Sequence, residues 1–438
     1  KEIIEKVEYL EKIESVKEYC KRRKVLFIAY IFPPVGGSGV QRSLKFVKYL
    51  RDFGWEPVVI ATGKTRYLLM DETMLSEVPE ELEVVRIDDE CKIDANCPND
   101  LIKLYSGVVN DDELMREYIE KLKKPGANLN QLIFCPDSYI LWAMEVLKRI
   151  DKEVDLEEID IIYSTSAPYS DHIIGYYLKQ KYNKPWVADF RDEWTNNPMA
   201  YYPRGNIRYK IEFAMESNIV KFADKVITVT PLTSENYMRI FNLKNSKVET
   251  ITNGYDEEDF KNMVINANNN KFTIMHNGIL YGNRSPVPFI NAVNNLIKKK
   301  LIEKDKIIAY FSYIENDEEY IQYVNSLGLN ENIKFIGYLS HIESLNVAGS
   351  ADLLLLIVGR EEKWKSVFTG KVFEYLRLCK PILALSPKGS VVEELLKETN
   401  RGENFDFSDV DGIEKYILKM YENWERNSFE AFELTDSI

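Results

Sequence analysis

Along residues 24–62 the chain alternates between apolar runs and segments whose apolar positions are spaced for a helix. "KVLFIAYIF" predicts a buried strand, "PPVGGSG" a loop, "VQRSLKFVKYLRDFG" a helix stopped at Gly54, and "WEPVVIAT" a second strand. Residues 64–135 are mixed and polar, with "EVVRI" as a strand and a helix near 111–123. The rhythm then resumes: "DSYILWAMEVLKRI" predicts a helix, "IDIIYSTSA" a strand, "DHIIGYYLKQKY" a helix, and "KPWVADF", "ADKVITVT" and "KVETITNG" three further strands. Repeated βα units imply a parallel, doubly wound sheet with right-handed crossovers.

The Asn-rich stretch "YDEEDFKNMVINANNNK" breaks the pattern and predicts a linker, after which the alternation restarts. "FTIMHNGIL", "DKIIAYFS", "NIKFIGYL", "ADLLLLIV" and "KPILAL" predict five strands with helices between them. The expected organisation is an N-terminal amphipathic helix over 1–23, striped by Ile3, Val7, Leu10 and Ile13, and a Rossmann-like domain over 24–256. A linker over 257–270, a second Rossmann-like domain over 271–412, and a helical segment over 413–438 crossing back to the first domain complete it. Ligands of open α/β sheets bind outside the strands' carboxyl ends, so two such sheets place the expected site in the cleft they face.

The chain has 438 residues and a net charge of −13, from 57 basic and 70 acidic side chains, which argues against nucleic acid as a partner. Cys20, Cys91, Cys97, Cys135 and Cys379 are odd in number, widely spread and without a CxxC pair. A reduced, cytoplasmic protein is expected, with neither a disulfide framework nor a zinc site. No apolar run reaches the roughly 20 residues of a membrane span.

The chemistry-bearing residues follow strands. In "FPPVGGSGVQR", Gly36 and Gly37 free the backbone to approach a ligand, but GxGxxG would need glycine where Arg42 stands, and no acid ends the second strand. A nicotinamide site is therefore disfavoured against a ligand loop or a plain turn. "STSAPYSDH" and "ADFRDEW" bring His172, Asp189, Arg191 and Asp192 to strand ends, as a polar acceptor lining or as a salt-bridge cluster shaping the loop. Asn253 stands in the turn "TNGYD"; Gly278 and Arg284 follow the second domain's first strand, where an arginine suits a phosphate or is an ordinary surface residue. In "FTGKVFEYL", Thr369, Lys371 and Glu374 open a helix otherwise built for the core. Such a pair is commonly an exposed i, i+3 contact. After a strand end it also suits diphosphate recognition by Lys371 and Thr369, with Glu374 accepting from the hydroxyls of a ribose.

The motifs "FPPVGGSGVQRSLKFVKYL", "PWVADFRDEW", "ADKVITVT", "KVETITNGYD", "NIKFIGYLS" and "TGKVFEYL…KPIL" resemble the retaining glycosyltransferases of family four, with the two-domain GT-B fold, from about Lys24 onward. The resemblance implies a nucleoside-diphosphate sugar as co-substrate, bound mainly by the C-terminal domain, with no cofactor and no metal. It implies an acceptor hydroxyl on a glycan, a lipid-linked sugar or a glycoprotein, bound mainly by the N-terminal domain. Arg284, Lys371 and Glu374 take the catalytic places; Gly36, Gly37, Asn253, Gly278 and Thr369 join Glu374 on the donor; His172, Asp189, Arg191 and Asp192 form the acceptor side. Glu374 matches the second glutamate of the family's E-x7-E element, while the first falls at Ser366. The family's usual Arg and Lys after the first C-terminal strand fall at Ile279 and Arg284, and Arg191-Asp192 stands where many members carry His-Asp. A cytoplasmic location with peripheral contact at the inner face of the membrane is expected. A nucleotide-sugar 2-epimerase of the same architecture and a degenerate binding domain remain open alternatives.

Overall fold

The structure is a computed structural model that describes residues 22–65, 69–89, 97–124, 133–199, 202–266, 270–280, 282, 284–312 and 317–428. The expected N-terminal helix over 1–23 lies outside these apart from Arg22 and Arg23. Chain packing divides the protein into two units: Lys1–Arg191 with Tyr202–Ile227, and Asp192–Tyr201 with Thr228–Ile438.

Seven strands, β1 (Arg23–Ile28), β2 (Trp55–Thr62), β3 (Glu83–Ile87), β4 (Ile161–Ser166), β5 (Trp186–Phe190), β6 (Lys225–Thr228) and β7 (Val248–Thr250), form one sheet in the order β3-β2-β1-β4-β5-β6-β7. Six more, β8 (Phe272–His276), β9 (Ile307–Phe311), β10 (Ile333–Phe335), β11 (Leu353–Ile357), β12 (Ile382–Leu385) and β13 (Gly402–Phe405), form a parallel sheet in the order β10-β9-β8-β11-β12-β13. Both orders place the first strand at the centre and reverse direction there, the doubly wound pattern expected from the βα alternation.

The apolar runs are continuous because both faces of each inner strand are covered. In β11, Leu353, Leu355 and Ile357 enter one core, and Leu354 and Leu356 enter the core on the opposite face. The last strand escaped sequence reading. "GENF" has no apolar run, since β13 is an edge strand whose residues are half-buried or exposed. Its Gly402 is required by proximity: a Cβ there would lie 2.0 Å from the Ile382 carbonyl oxygen. The sequence also missed a helix over Cys97–Val109, while the one expected near 111–123 is present as Asp112–Leu122. The helix Val410–Glu425 buries Ile413, Tyr416, Ile417, Met420 and Tyr421 in the second unit's core. Residues 429–438 lie outside the described ones.

No helix among the described residues is long and apolar enough to cross a membrane.

Candidate functional site

In the second unit the informative side chains gather around the carboxyl ends of β8 and β11. The helix Lys371–Arg377 buries Val372, Phe373, Tyr375 and Leu376 and leaves Lys371 and Glu374 partly exposed on another face. Lys371 Nζ donates to Glu374 Oε2 at 3.1 Å and lies 3.4 Å from the Ser344 hydroxyl. The other Glu374 oxygen, Oε1, is 3.1 Å from His341 Nε2, at the start of the helix His341–Ser350. Burial raises the Glu374 pKa, but the Lys371 charge and the His341 contact outweigh it and hold the carboxyl down to about 2. Glu374 is therefore an anion at neutral pH, with lone pairs remaining beyond its two protein contacts.

A chain of hydrogen bonds ties this pair to β8. The Ser344 carbonyl accepts from Asn277 Nδ2 at 2.6 Å, and the Asn277 amide donates to the Tyr375 hydroxyl at 2.8 Å. Arg284 donates from Nε to the Val358 carbonyl at 2.9 Å, and its guanidinium lies 4.8 Å from the centre of the Trp364 ring. The positive charges of Arg284 and Lys371 both bear on His276, the last residue of β8. Both positive charges thus act on one strand end, and Lys371 holds the Glu374 anion beside itself. Thr369 Oγ1, Asn277 Oδ1, His276 Nε2 and Trp364 Nε1 are buried without a hydrogen-bond partner among the described residues. Gly278 N–H is engaged by the Ser312 hydroxyl at 2.8 Å. Asn253 sits half-buried in the irregular segment after β7.

Ser366, where the family's first glutamate falls, donates at 2.9 Å to Glu193 Oε2. Burial raises the Glu193 pKa, and Asn196 and Asn236 both donate to its Oε1. Neither Glu193 nor His341 was anticipated from the sequence: each meets its partner across a long stretch of chain, and nothing local marks either one.

The first unit corrects several expectations. Asp189 does not line an acceptor surface. Its oxygens accept from Arg42 Nε and Nη2, both at 2.9 Å, and from the Thr165 hydroxyl at 2.8 Å, with side-chain exposures of 3 % for Arg42 and 0 % for Asp189. Burial opposes ionisation of Asp189, yet Arg42 overrides it and holds the carboxyl below its ordinary range. The residue that broke the dinucleotide fingerprint is thus a structural partner of Asp189. His172 is also interior: it is fully buried, 2.8 Å from the Ser164 hydroxyl through Nδ1, and set against Phe190. Burial lowers its pKa to about 3, against the opposing pull of Asp189. The expected cluster of Asp189 with its neighbours is replaced by separate contacts, since Arg191 donates to the Gly39 and Ala167 carbonyls. Asp192, next in the chain, is half-buried and falls in the second unit. Gly36 is buried and its N–H is taken by the Leu69 carbonyl, so that amide is not offered to a ligand. Gly37, at φ 96°, precedes the helix Ser38–Leu50 in a conformation that favours glycine.

Residues 111–259, about a third of the chain, match the model of Glycosyltransferase Family 4. Compared with curated protein sequences, the chain matches none. Its structure is similar to sucrose-phosphate synthase from Thermosynechococcus elongatus (TM-score 0.62, 13 % identity, covering 93 % of this chain and 92 % of that one). It is also similar to WaaG, a glycosyltransferase involved in lipopolysaccharide biosynthesis (0.55, 12 %, 94 % and 96 %). A third likeness is to a TarM variant from S. aureus in complex with fondaparinux, α-GlcNAc-glycerol and UDP (0.57, 10 %, 93 % and 94 %). At these identities the likeness establishes the fold: two Rossmann-like α/β domains of the GT-B type.

Proposed function

We propose that the chain is a retaining glycosyltransferase of the family 4 type, moving a sugar from a nucleoside-diphosphate sugar to a hydroxyl of a glycan, lipid-linked or protein-linked acceptor. The observation that carries this reading is that the Arg284 and Lys371 charges both act on the carboxyl end of β8 while Lys371 holds the anionic Glu374 beside itself. The match over residues 111–259 and the GT-B fold support it, as does the UDP in the TarM complex.

In this reading Arg284 and Lys371 hold the diphosphate, the arginine through a planar fork and the lysine as a point charge. The Thr369 hydroxyl, buried without a partner among the described residues, adds a donor. Glu374 accepts from the two ribose hydroxyls with the lone pairs that Lys371 and His341 leave open. Asn253 is assigned to the donor side, and Arg191 to the acceptor side within the first unit. As the bond from the sugar to the diphosphate breaks, negative charge grows on the leaving group, and the two fixed cations favour that state over the ground state. The leaving oxygen takes the acceptor's proton on the same face of the sugar, which preserves the anomeric configuration without a protein nucleophile.

No cofactor or metal enters this scheme, because Arg284 and Lys371 supply the positive charge; transfer is expected to persist in excess chelator and to show no gain on adding manganese or magnesium. The reaction is placed in the cytoplasm, at the inner face of a membrane when the acceptor is lipid-linked. Melting curves with uridine, guanosine, adenosine and thymidine diphosphates test the reading, since a ligand bound only by the folded state raises the melting temperature. One of the four is expected to stabilise the protein at millimolar concentration. Four unshifted curves would sink the nucleotide site and the function built on it.

A further inference from the structure

His276 ends β8 and is 3 % exposed. Its Nδ1 lies 2.8 Å from the Leu355 carbonyl oxygen, an atom that only accepts, so Nδ1 carries the ring proton. Burial lowers the pKa of this histidine; the bond to Leu355 opposes that, and the charges of Arg284 and Lys371 add to it, leaving the value at about 4. The ring is neutral at physiological pH, and Nε2 presents a bare lone pair. That nitrogen has no hydrogen-bond partner among the described residues. A histidine serving only the core is anchored by Nδ1 alone and gains nothing from a second buried polar atom.

Gly278 leaves one side of Nε2 without a side-chain contact. A Cβ built at Gly278 would lie 3.5 Å from Nε2 and 3.8 Å from Cε1 of His276, with no other atom of the described residues beyond its two chain neighbours within 4 Å. Gly278 is itself partly exposed, and Nε2 is the atom of the His276 ring nearest to where its Cβ would stand.

We propose that His276 Nε2 accepts a hydrogen bond from a hydroxyl of the transferred sugar, and so helps decide which sugar nucleotide is used. This rests on the function proposed above. The chemistry excludes the ionised diphosphate, which has no proton to offer a bare nitrogen, and calls for a donor such as the hydroxyls that every transferred sugar carries. The ribose hydroxyls are assigned to Glu374. The cations bearing on His276 are those assigned to the diphosphate, and the group on the far side of a diphosphate from the nucleoside is the sugar. A site built around a substrate hydroxyl discriminates against analogues that lack it, because its buried partner is then left unpaired.

Calorimetric titration of the whole chain separates the two ideas. The probes are the four nucleoside diphosphates and their glucose, galactose and N-acetylglucosamine conjugates. His276→Phe keeps the ring's bulk, and His276→Asn keeps a donor for the Leu355 carbonyl while removing only the position of Nε2, which guards against a variant that fails to fold. Both are expected to weaken the best-bound conjugate by about five- to tenfold, while its free diphosphate changes by less than about twofold. Equal losses for diphosphate and conjugate, or unchanged binding of the conjugate, overturn the assignment. So does a wild-type protein that binds a diphosphate but none of its conjugates. A wild-type protein that binds no diphosphate overturns instead the function on which the assignment rests.

Discussion

Both units set a cation against a carboxylate at the carboxyl end of a parallel sheet, and they do so in opposite ways. In the first, Arg42 and Asp189 meet through two bonds of 2.9 Å, with exposures of 3 % and 0 %, and Thr165 takes a further lone pair. In the second, Lys371 and Glu374 meet through one bond of 3.1 Å, with exposures of 26 % and 14 %, and His341 shares the carboxylate. The closed pair has its bonds within the protein, so its role is to fix the helix Ser38–Leu50 against β5. The open pair keeps unused donors and acceptors beside buried polar atoms that lack partners, which is the condition for meeting a ligand. Position at a strand end is common to both pairs; exposure separates the closed pair from the one proposed to meet the donor.

The largest effect should come from breaking the closed pair. Asp189→Asn leaves the Arg42 charge buried without its counter-ion, and a loss of roughly 3–5 kcal/mol in stability is expected by denaturant titration. Nucleotide binding by the protein that still folds should be unchanged. A variant as stable as the parent would show that the two pairs do not differ in kind.

The open pair should respond in the reverse sense. Lys371→Ala is expected to lower turnover by roughly a hundredfold, the scale for loss of one electrostatic stabiliser, while stability shifts by no more than about 1 kcal/mol. Glu374→Gln keeps the shape but not the charge, and the ribose does not change charge in the reaction. Its effect should fall on donor binding, at about 1–3 kcal/mol. Steady-state kinetics on the two variants, read as kcat against KM, distinguishes these roles. Parental values for both would reduce the pair to an ordinary helix-surface contact.

The smallest effect is a pH dependence confined to the first unit. His172 stays neutral when folded because burial lowers its pKa to about 3, whereas an unfolded histidine titrates near 6.5. Below about pH 6.5 the unfolded chain therefore binds the extra proton, and stability falls as pH falls towards 3. Between pH 7 and pH 5.5 the share of His172 is about 1–1.5 kcal/mol. His172→Phe should flatten that part of the stability curve, and an unchanged slope would mean that the ring is solvated and protonated in the folded state.

These contrasts show what could be read from residue order. The central strands were legible because burial on both faces leaves an unbroken apolar run, as in "ADLLLLIV" for β11. The edge strand β13 was not, because its residues are mostly half-buried and its need for Gly402 comes from a neighbouring strand. Lys371 and Glu374 were legible because one helical turn brings residues three apart together.

His341 reaches Glu374 from 33 residues away, Arg42 reaches Asp189 from 147, and Glu193 reaches Ser366 from 173. Periodicity and turn chemistry act over a few residues, so the sequence alone determined the βα alternation, the two parallel sheets and the set of polar residues at their strand ends. Which of those residues pair off inside the protein depends on how distant segments pack, since burial sets both the cost of a charge and the need for a partner. Only the tertiary structure decided that Asp189 and His172 belong to the core, that Glu374 stays partly exposed, and that His276 keeps one nitrogen unpaired.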